Sequence, residues 1–87
     1  MKIWFRLMQD KHVLKDTIVE YSDDRSRTKK IFAGLEEACH LWDLAVPIWL
    51  DINIREFRQR AGTRFSKDNF TEHIDFDYME IKVLEED

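Results

Sequence analysis

Three histidines, one cysteine and two concentrations of arginine and lysine are the residues of this chain whose types and spacing could support chemistry. His73, Asp75 and Asp77 alternate, and on one strand they would project from the same face, as a metal-binding stripe requires. Solvent-facing alternation accounts for that pattern equally well. The spacing fits neither a zinc nor an EF-hand signature, so further ligands would have to come from elsewhere. Cys39 falls on the apolar side of a predicted helix, where a thiol is a small, inert core group. His40 is its neighbour, but successive helical side chains diverge by about 100°, which leaves His40 on the polar face beside Glu36, Glu37 and Asp43. His12 lies near a predicted hairpin turn. No glycine-rich phosphate loop, G-x-S-x-G or H-E-x-x-H is present. A chain of 87 residues with two glycines has little room for both a core and a catalytic cleft. We therefore expect no catalytic, cofactor or metal site, and no enzyme.

The cations raise a different chemistry. Residues 55–67 carry Arg55, Arg58, Arg60, Arg64 and Lys67 against Glu56 alone, a net charge of +4 in a chain of net -4, while residues 68–87 carry -7. A second cluster, Arg25, Arg27, Lys29 and Lys30, opens a predicted helix whose acids Glu36, Glu37 and Asp43 come late. That order opposes the helix macrodipole, at a cost of about 0.3–1 kcal/mol for well-placed charges. If the clusters share a face, Arg25, Arg27, Lys29, Lys30, Arg55, Arg58, Arg60 and Arg64 would form an anion or nucleic-acid surface. The acidic total and the lack of a helix-turn-helix, zinc-finger or aromatic RNA-binding signature weigh against it. For the 55–67 block, mutual neutralisation with the acidic C-terminal strand is favoured, through exposed pairs worth about 0–1 kcal/mol each.

Stepping along the chain gives the elements that must hold these groups. Residues 2–9 alternate as a strand, with Ile3, Phe5 and Leu7 on one side and Trp4, Arg6 and Met8 on the other. Asp10-Lys11 is a turn, weaker as a signal than Asn-Gly, and residues 12–21 are the β-branched return strand. A polar loop precedes a helix over 28–43, with Ile31, Phe32, Leu35, Ala38, Cys39 and Trp42 at helical spacing and Gly34 costing up to about 1 kcal/mol. Residues 44–50 (LAVPIWL) read as a short apolar strand that Pro47 confines to an edge. A second helix follows, capped by Asp51 or Asn53, striped by Ile54, Phe57 and Ala61, and stopped at Gly62. Residues 68–72 suit one further turn. In the last strand Ile74, Phe76 and Tyr78 alternate out of phase with Met79, Ile81 and Val83, which calls for a bulge near Tyr78 or for cover on both sides. The expected fold is α+β, β-β-α-β-α-β, a mainly antiparallel sheet with both helices packed on one face.

One domain is all that 87 residues allow. A lone cysteine in so small a chain favours a reducing compartment, read as cytoplasmic, and no stretch has the length or apolarity of a signal or a membrane span. The first strand is sticky on both sides. Trp4 and Met8 would offer a partner surface on the uncovered sheet face, to another protein or to a second copy as a homodimer. A Trp4 lying flat under long side chains would need no partner. Nucleic acid is the less favoured partner, and no membrane is expected.

Taken whole, with MKIWFRLM at its start and the segments PIWLDINIREF and IDFDY, the chain resembles a short family of uncharacterised bacterial proteins. The resemblance implies a stand-alone cytoplasmic protein and brings no activity, cofactor or site residue with it.

Overall fold

The computed structural model describes all 87 residues. Its elements are β1 (Lys2–Gln9), β2 (His12–Glu20), α1 (Arg27–Leu41), α2 (Asp51–Arg60), β3 (Gly62–Phe65) and β4 (Tyr78–Glu85), with a 3₁₀ turn at Lys67–Asn69. The strands form one antiparallel sheet in the order β2-β1-β4-β3. The α+β class is as expected. The element order is β-β-α-α-β-β instead of β-β-α-β-α-β, because residues 44–50 are extended but unpaired in the sheet and β3 takes the position beside β4.

The β1–β2 turn places Asp10 and Lys11 at φ 50° and 68°, the left-handed pair of a type I′ hairpin, although neither residue is glycine. Ile3, Phe5 and Leu7 then face Val19 on one side and Val83, Ile81 and Met79 on the other. These side chains, with Phe65 of β3, meet Ile31, Leu35, Ala38 and Cys39 of α1 and Phe57 of α2 in one core. Both helices therefore cover the same sheet face. Gly34 explains its own mid-helix position. A Cβ there would come within 3.0 Å of Val19 and 3.2 Å of Phe5, so the glycine lets α1 lie close on the sheet.

Two boundaries differ from expectation for identifiable reasons. The second helix ends at Ala61, which itself takes the left-handed conformation at φ 53°, while Gly62 opens β3. Gly62 is needed there for proximity: a Cβ would lie 2.8 Å from the Ile81 carbonyl oxygen. The final strand begins only at Tyr78, so the phase break marks the strand's start, not a bulge within it. Ile74 and Phe76 pack against the core from the preceding loop. The register shifts of the sheet fall instead at Leu7/Met8 and Lys2/Ile3. No helix is long and apolar enough to cross a membrane.

Candidate protein-binding surface

The segment between the helices is held by hydrogen bonds to side chains and loops. Leu44 N–H donates to the Cys39 carbonyl at 2.8 Å, and Ile48 N–H donates to the Asn69 carbonyl at 2.7 Å. Asn69 returns a bond from Nδ2 to the Ile48 carbonyl at 2.8 Å and gives another to Asn53 Oδ1 at 2.7 Å. Asn53 Oδ1 also accepts Leu50 N–H at 3.0 Å, the backward half of a capping box; Leu50, the N-cap, has no side-chain acceptor of its own. From Nδ2, Asn53 reaches Thr63 Oγ1 at 2.9 Å and the Arg64 carbonyl at 2.8 Å. Thr63 donates to Glu56 at 2.7 Å, and Arg60 closes the chain on the same carboxylate. Asn53, Thr63 and Asn69 are all buried, so this network is a desolvated tie between α2, β3 and the 44–50 segment.

Extended backbone alternates its side chains. Pro47 is buried and Trp49 half-buried, with the Trp49 ring edge-on to Phe57 (5.5 Å), Phe65 (5.0 Å) and Phe32 (6.0 Å). Val46, Ile48 and Leu50 take the opposite side and face solvent. Ile52 and Ile54 on α2 and Phe32 on α1 are exposed as well, with Ile52 and Ile54 diverging by about 200° around the helix. These six side chains are between 39% and 51% exposed. Ile54 thus lies outside the core it was expected to join, and Asn53 occupies the buried position on α2. Between the helices Phe32 and Ile54 join Ile31, Trp49 and Phe57 in lining a groove of about 320 Å³, flanked by Arg27 and Arg58. Arg27 lies over the Phe57 ring at 5.3 Å.

The surface anticipated from Trp4 and Met8 is built differently. Met8 is only 8% exposed. Trp4 is half-buried, with the Arg6 guanidinium 4.6 Å above its ring and its Nε1 donating to Asp16 at 3.0 Å. On that face Asp16, Arg6, Glu80 and Arg64 stand in one row across the four strands, alternating in charge. Glu80 pairs with both arginines.

The eight candidate anion-binding residues separate into three settings. Arg25 pairs with Asp23, Arg27 grips Glu86 through two bonds of 2.9 and 3.0 Å, and buried Lys30 meets Asp87 at 2.6 Å. These bonds hold the Glu86 and Asp87 carboxyls below their ordinary range. Arg27 and Lys30 at the start of α1 thus have compensation from the chain's acidic end that the sequence did not reveal, and Arg25 has it from Asp23. Arg60 and Arg64 line a cleft of about 610 Å³ on the outer sheet face with Trp4, Arg6 and Lys82, balanced by Glu56 and Glu80. Lys29, Arg55 and Arg58 are exposed and form no ion pair.

The remaining groups stay apart. His73 touches Asp75 at 2.9 Å in open solvent, whereas Asp77 accepts Asp10 N–H, and all three precede β4 instead of sharing a strand face. No three His, Cys, Asp or Glu side chains are gathered as a metal site would need. Cys39 is buried, and burial pushes its thiol up to about 11. Tyr21 is pushed up to about 12, first by burial and then by donating to Glu37 at 2.6 Å. The apolar row was missed because LAVPIWL reads as a core strand. The signal available was its alternation, with Pro47 and Trp49 out of phase with Val46, Ile48 and Leu50.

Compared with known proteins, the chain matches no family model, no curated protein and no solved structure at a significant level.

Proposed function

We propose that this chain is a non-catalytic protein-binding domain whose contact surface is the ridge from Val46 to Ile54 together with Phe32. The observation that carries the reading is the outward placement of six large apolar side chains along one continuous stretch and its neighbouring helix. A concentration of exposed large apolar side chains in one short segment marks interaction sites more often than scattered single residues do. The hydrogen bonds that Leu50 N–H gives to Asn53 Oδ1 and that Asn69 Nδ2 gives to the Ile48 carbonyl hold its backbone in place before any partner arrives, which lowers the ordering cost of association. On this reading the reducing cytoplasm suits the lone buried thiol.

A second reading has its own support: the outer-face cleft gathers Arg6, Arg60, Arg64 and Lys82 against two carboxylates, an excess of positive charge in an acidic chain. Each of these cations already donates to a carboxylate or a carbonyl, so an anion would have to compete for them. We rank it below the ridge.

Site-specific photo-crosslinking in cells separates the two. A benzophenone side chain at position 48 should give discrete protein adducts that the same group at position 4 does not. Adducts at neither position, or equal adducts at both, would remove the ridge as the contact surface.

A further inference from the structure

We infer that the occupant of the ridge and its groove is an acidic amphipathic segment of another protein: apolar side chains flanked by carboxylates. The inference rests on the reading of the ridge as a contact surface and adds its chemistry. Charge complementarity carries it. Arg55 and Arg58 stand exposed on the helix that bears Ile52 and Ile54, and neither has an ion pair, whereas Arg25, Arg27, Lys30, Arg60 and Arg64 all do. Arg58 also flanks the groove opposite Arg27. The acids of α2 are Asp51 and Glu56; Glu56 is already committed to Thr63 and Arg60, and the unpaired Asp51 in the first turn leaves the two free arginines a net positive charge. An apolar groove with the unpaired Arg58 at its rim and the unpaired Arg55 one turn away on the same helix selects for apolar residues with carboxylates beside them.

The same charges argue against a second copy of this chain. In a two-fold contact the patch meets itself, so a patch whose free charges are Arg55, Arg58 and Asp51 brings net positive charge against net positive charge. Like charges brought together at an interface suppress that pairing.

The test uses the intact chain and three synthetic peptides. The first has leucines at i, i+3, i+4 and i+7 with glutamates on the flanks; the second has lysines for glutamates; the third has serines for leucines. Calorimetric titration at low salt should show binding of the glutamate peptide, at least about tenfold weaker binding of the lysine peptide, and none of the serine peptide. The Arg55→Glu/Arg58→Glu variant, with unchanged melting temperature, should reverse the preference. Ile48→Glu should abolish binding of both. Equal binding of glutamate and lysine peptides would overturn the acidic partner while leaving the apolar surface standing. A dimer in sedimentation velocity that Ile48→Glu dissociates would overturn it in favour of self-association. Failure of the glutamate peptide at millimolar concentration would also overturn it, and if crosslinking at position 48 is silent as well, the surface itself falls.

Discussion

Asn69 Nδ2 lies 2.7 Å from Asn53 Oδ1, and both side chains are buried. Each asparagine also accepts the backbone N–H three residues before it, Leu50 for Asn53 and Ser66 for Asn69. Two local caps are thereby joined into one long-range contact, and the segment bearing Val46, Ile48 and Leu50 is fixed between them.

Removing either amide should take a partner from several part-buried or buried groups at once. Asn53→Ala removes the side-chain partner of Leu50 N–H and of the Arg64 carbonyl and leaves Asn69 Nδ2 with the Ile48 carbonyl alone. Each unsatisfied group costs about 1–3 kcal/mol, so we expect a loss of about 3 kcal/mol in urea unfolding. Asn53→Asp, which keeps the acceptor and loses the donor, should also destabilise. A loss below about 1 kcal/mol for Asn53→Ala would mean that the network is not a structural tie.

The α2–β3 junction gives two adjacent substitutions of opposite sign. Ala61→Gly relieves a left-handed alanine, worth about 1–2 kcal/mol of strain less the entropy of glycine, for a net gain of up to about 1 kcal/mol. Gly62→Ala forces a methyl against the Ile81 carbonyl at 2.8 Å and should destabilise by about 1–3 kcal/mol as β3 is pushed from β4. Thermal denaturation of the pair decides it, and the same sign for both would refute the assignment.

The acidic end adds a pH dependence. Glu86 and Asp87 have folded pKa values lowered chiefly by hydrogen bonds from Arg27 and Lys30. A lowered carboxylate contributes stability that is present above its unfolded pKa, about 4, and is lost as pH falls through the folded value. Stability should therefore drop below about pH 4, and Arg27→Met should flatten that drop. Asp87→Asn should destabilise more than Lys30→Met, because only the former strands a charge on the buried Lys30 side chain.

Cys39 titrates at the other extreme. Its folded pKa is raised by burial from 9.0 to about 11, so its contribution is intact below pH 9 and fades toward pH 11, by at most about 3 kcal/mol. A thiol reagent at pH 8 should label the native chain no faster than it unfolds, and Cys39→Ala should remove part of the alkaline loss. Rapid native-state labelling would contradict the burial.

Periodicity carried the sheet's centre and both helices, because Ile3, Phe5 and Leu7 and the Ile31–Leu35–Ala38 stripe each bury one face. It failed where tertiary context decided. GTRF is too short to show a period, and it becomes a strand because Gly62 fits against Ile81. LAVPIWL has a core-like composition, but the β4 edge beside which it would pair is taken by β3. Asn53 reads as a local cap in the sequence; its contact with Asn69 across sixteen residues has no sequence signature. The pairing of Arg27 and Lys30 with Glu86 and Asp87 links positions more than fifty residues apart, beyond any helix-local charge rule.

The uncovered sheet face offers the last test, since it also holds the alternative anion cleft. Glu80 is the shared partner of Arg6 and Arg64, and Arg6 in turn stacks on Trp4. Glu80→Gln keeps the shape and removes the charge that holds the row together. Two half-exposed pairs are then weakened, which should lower the melting temperature by a few degrees, at about 4–8 °C per kcal/mol for a domain of this size. The same change leaves Arg6, Arg60, Arg64 and Lys82 facing Glu56 alone in the cleft. If Glu80 serves to silence these cations, Glu80→Gln should acquire salt-sensitive binding to a single-stranded oligonucleotide that the parent chain lacks, with a log–log salt slope of about -0.7 per phosphate engaged. Trp4→Ala in the same background should weaken that binding, because base stacking on an aromatic is worth about 1–3 kcal/mol. Strong binding by the parent chain itself would instead make the cleft a working anion site and displace the ridge as the principal contact surface.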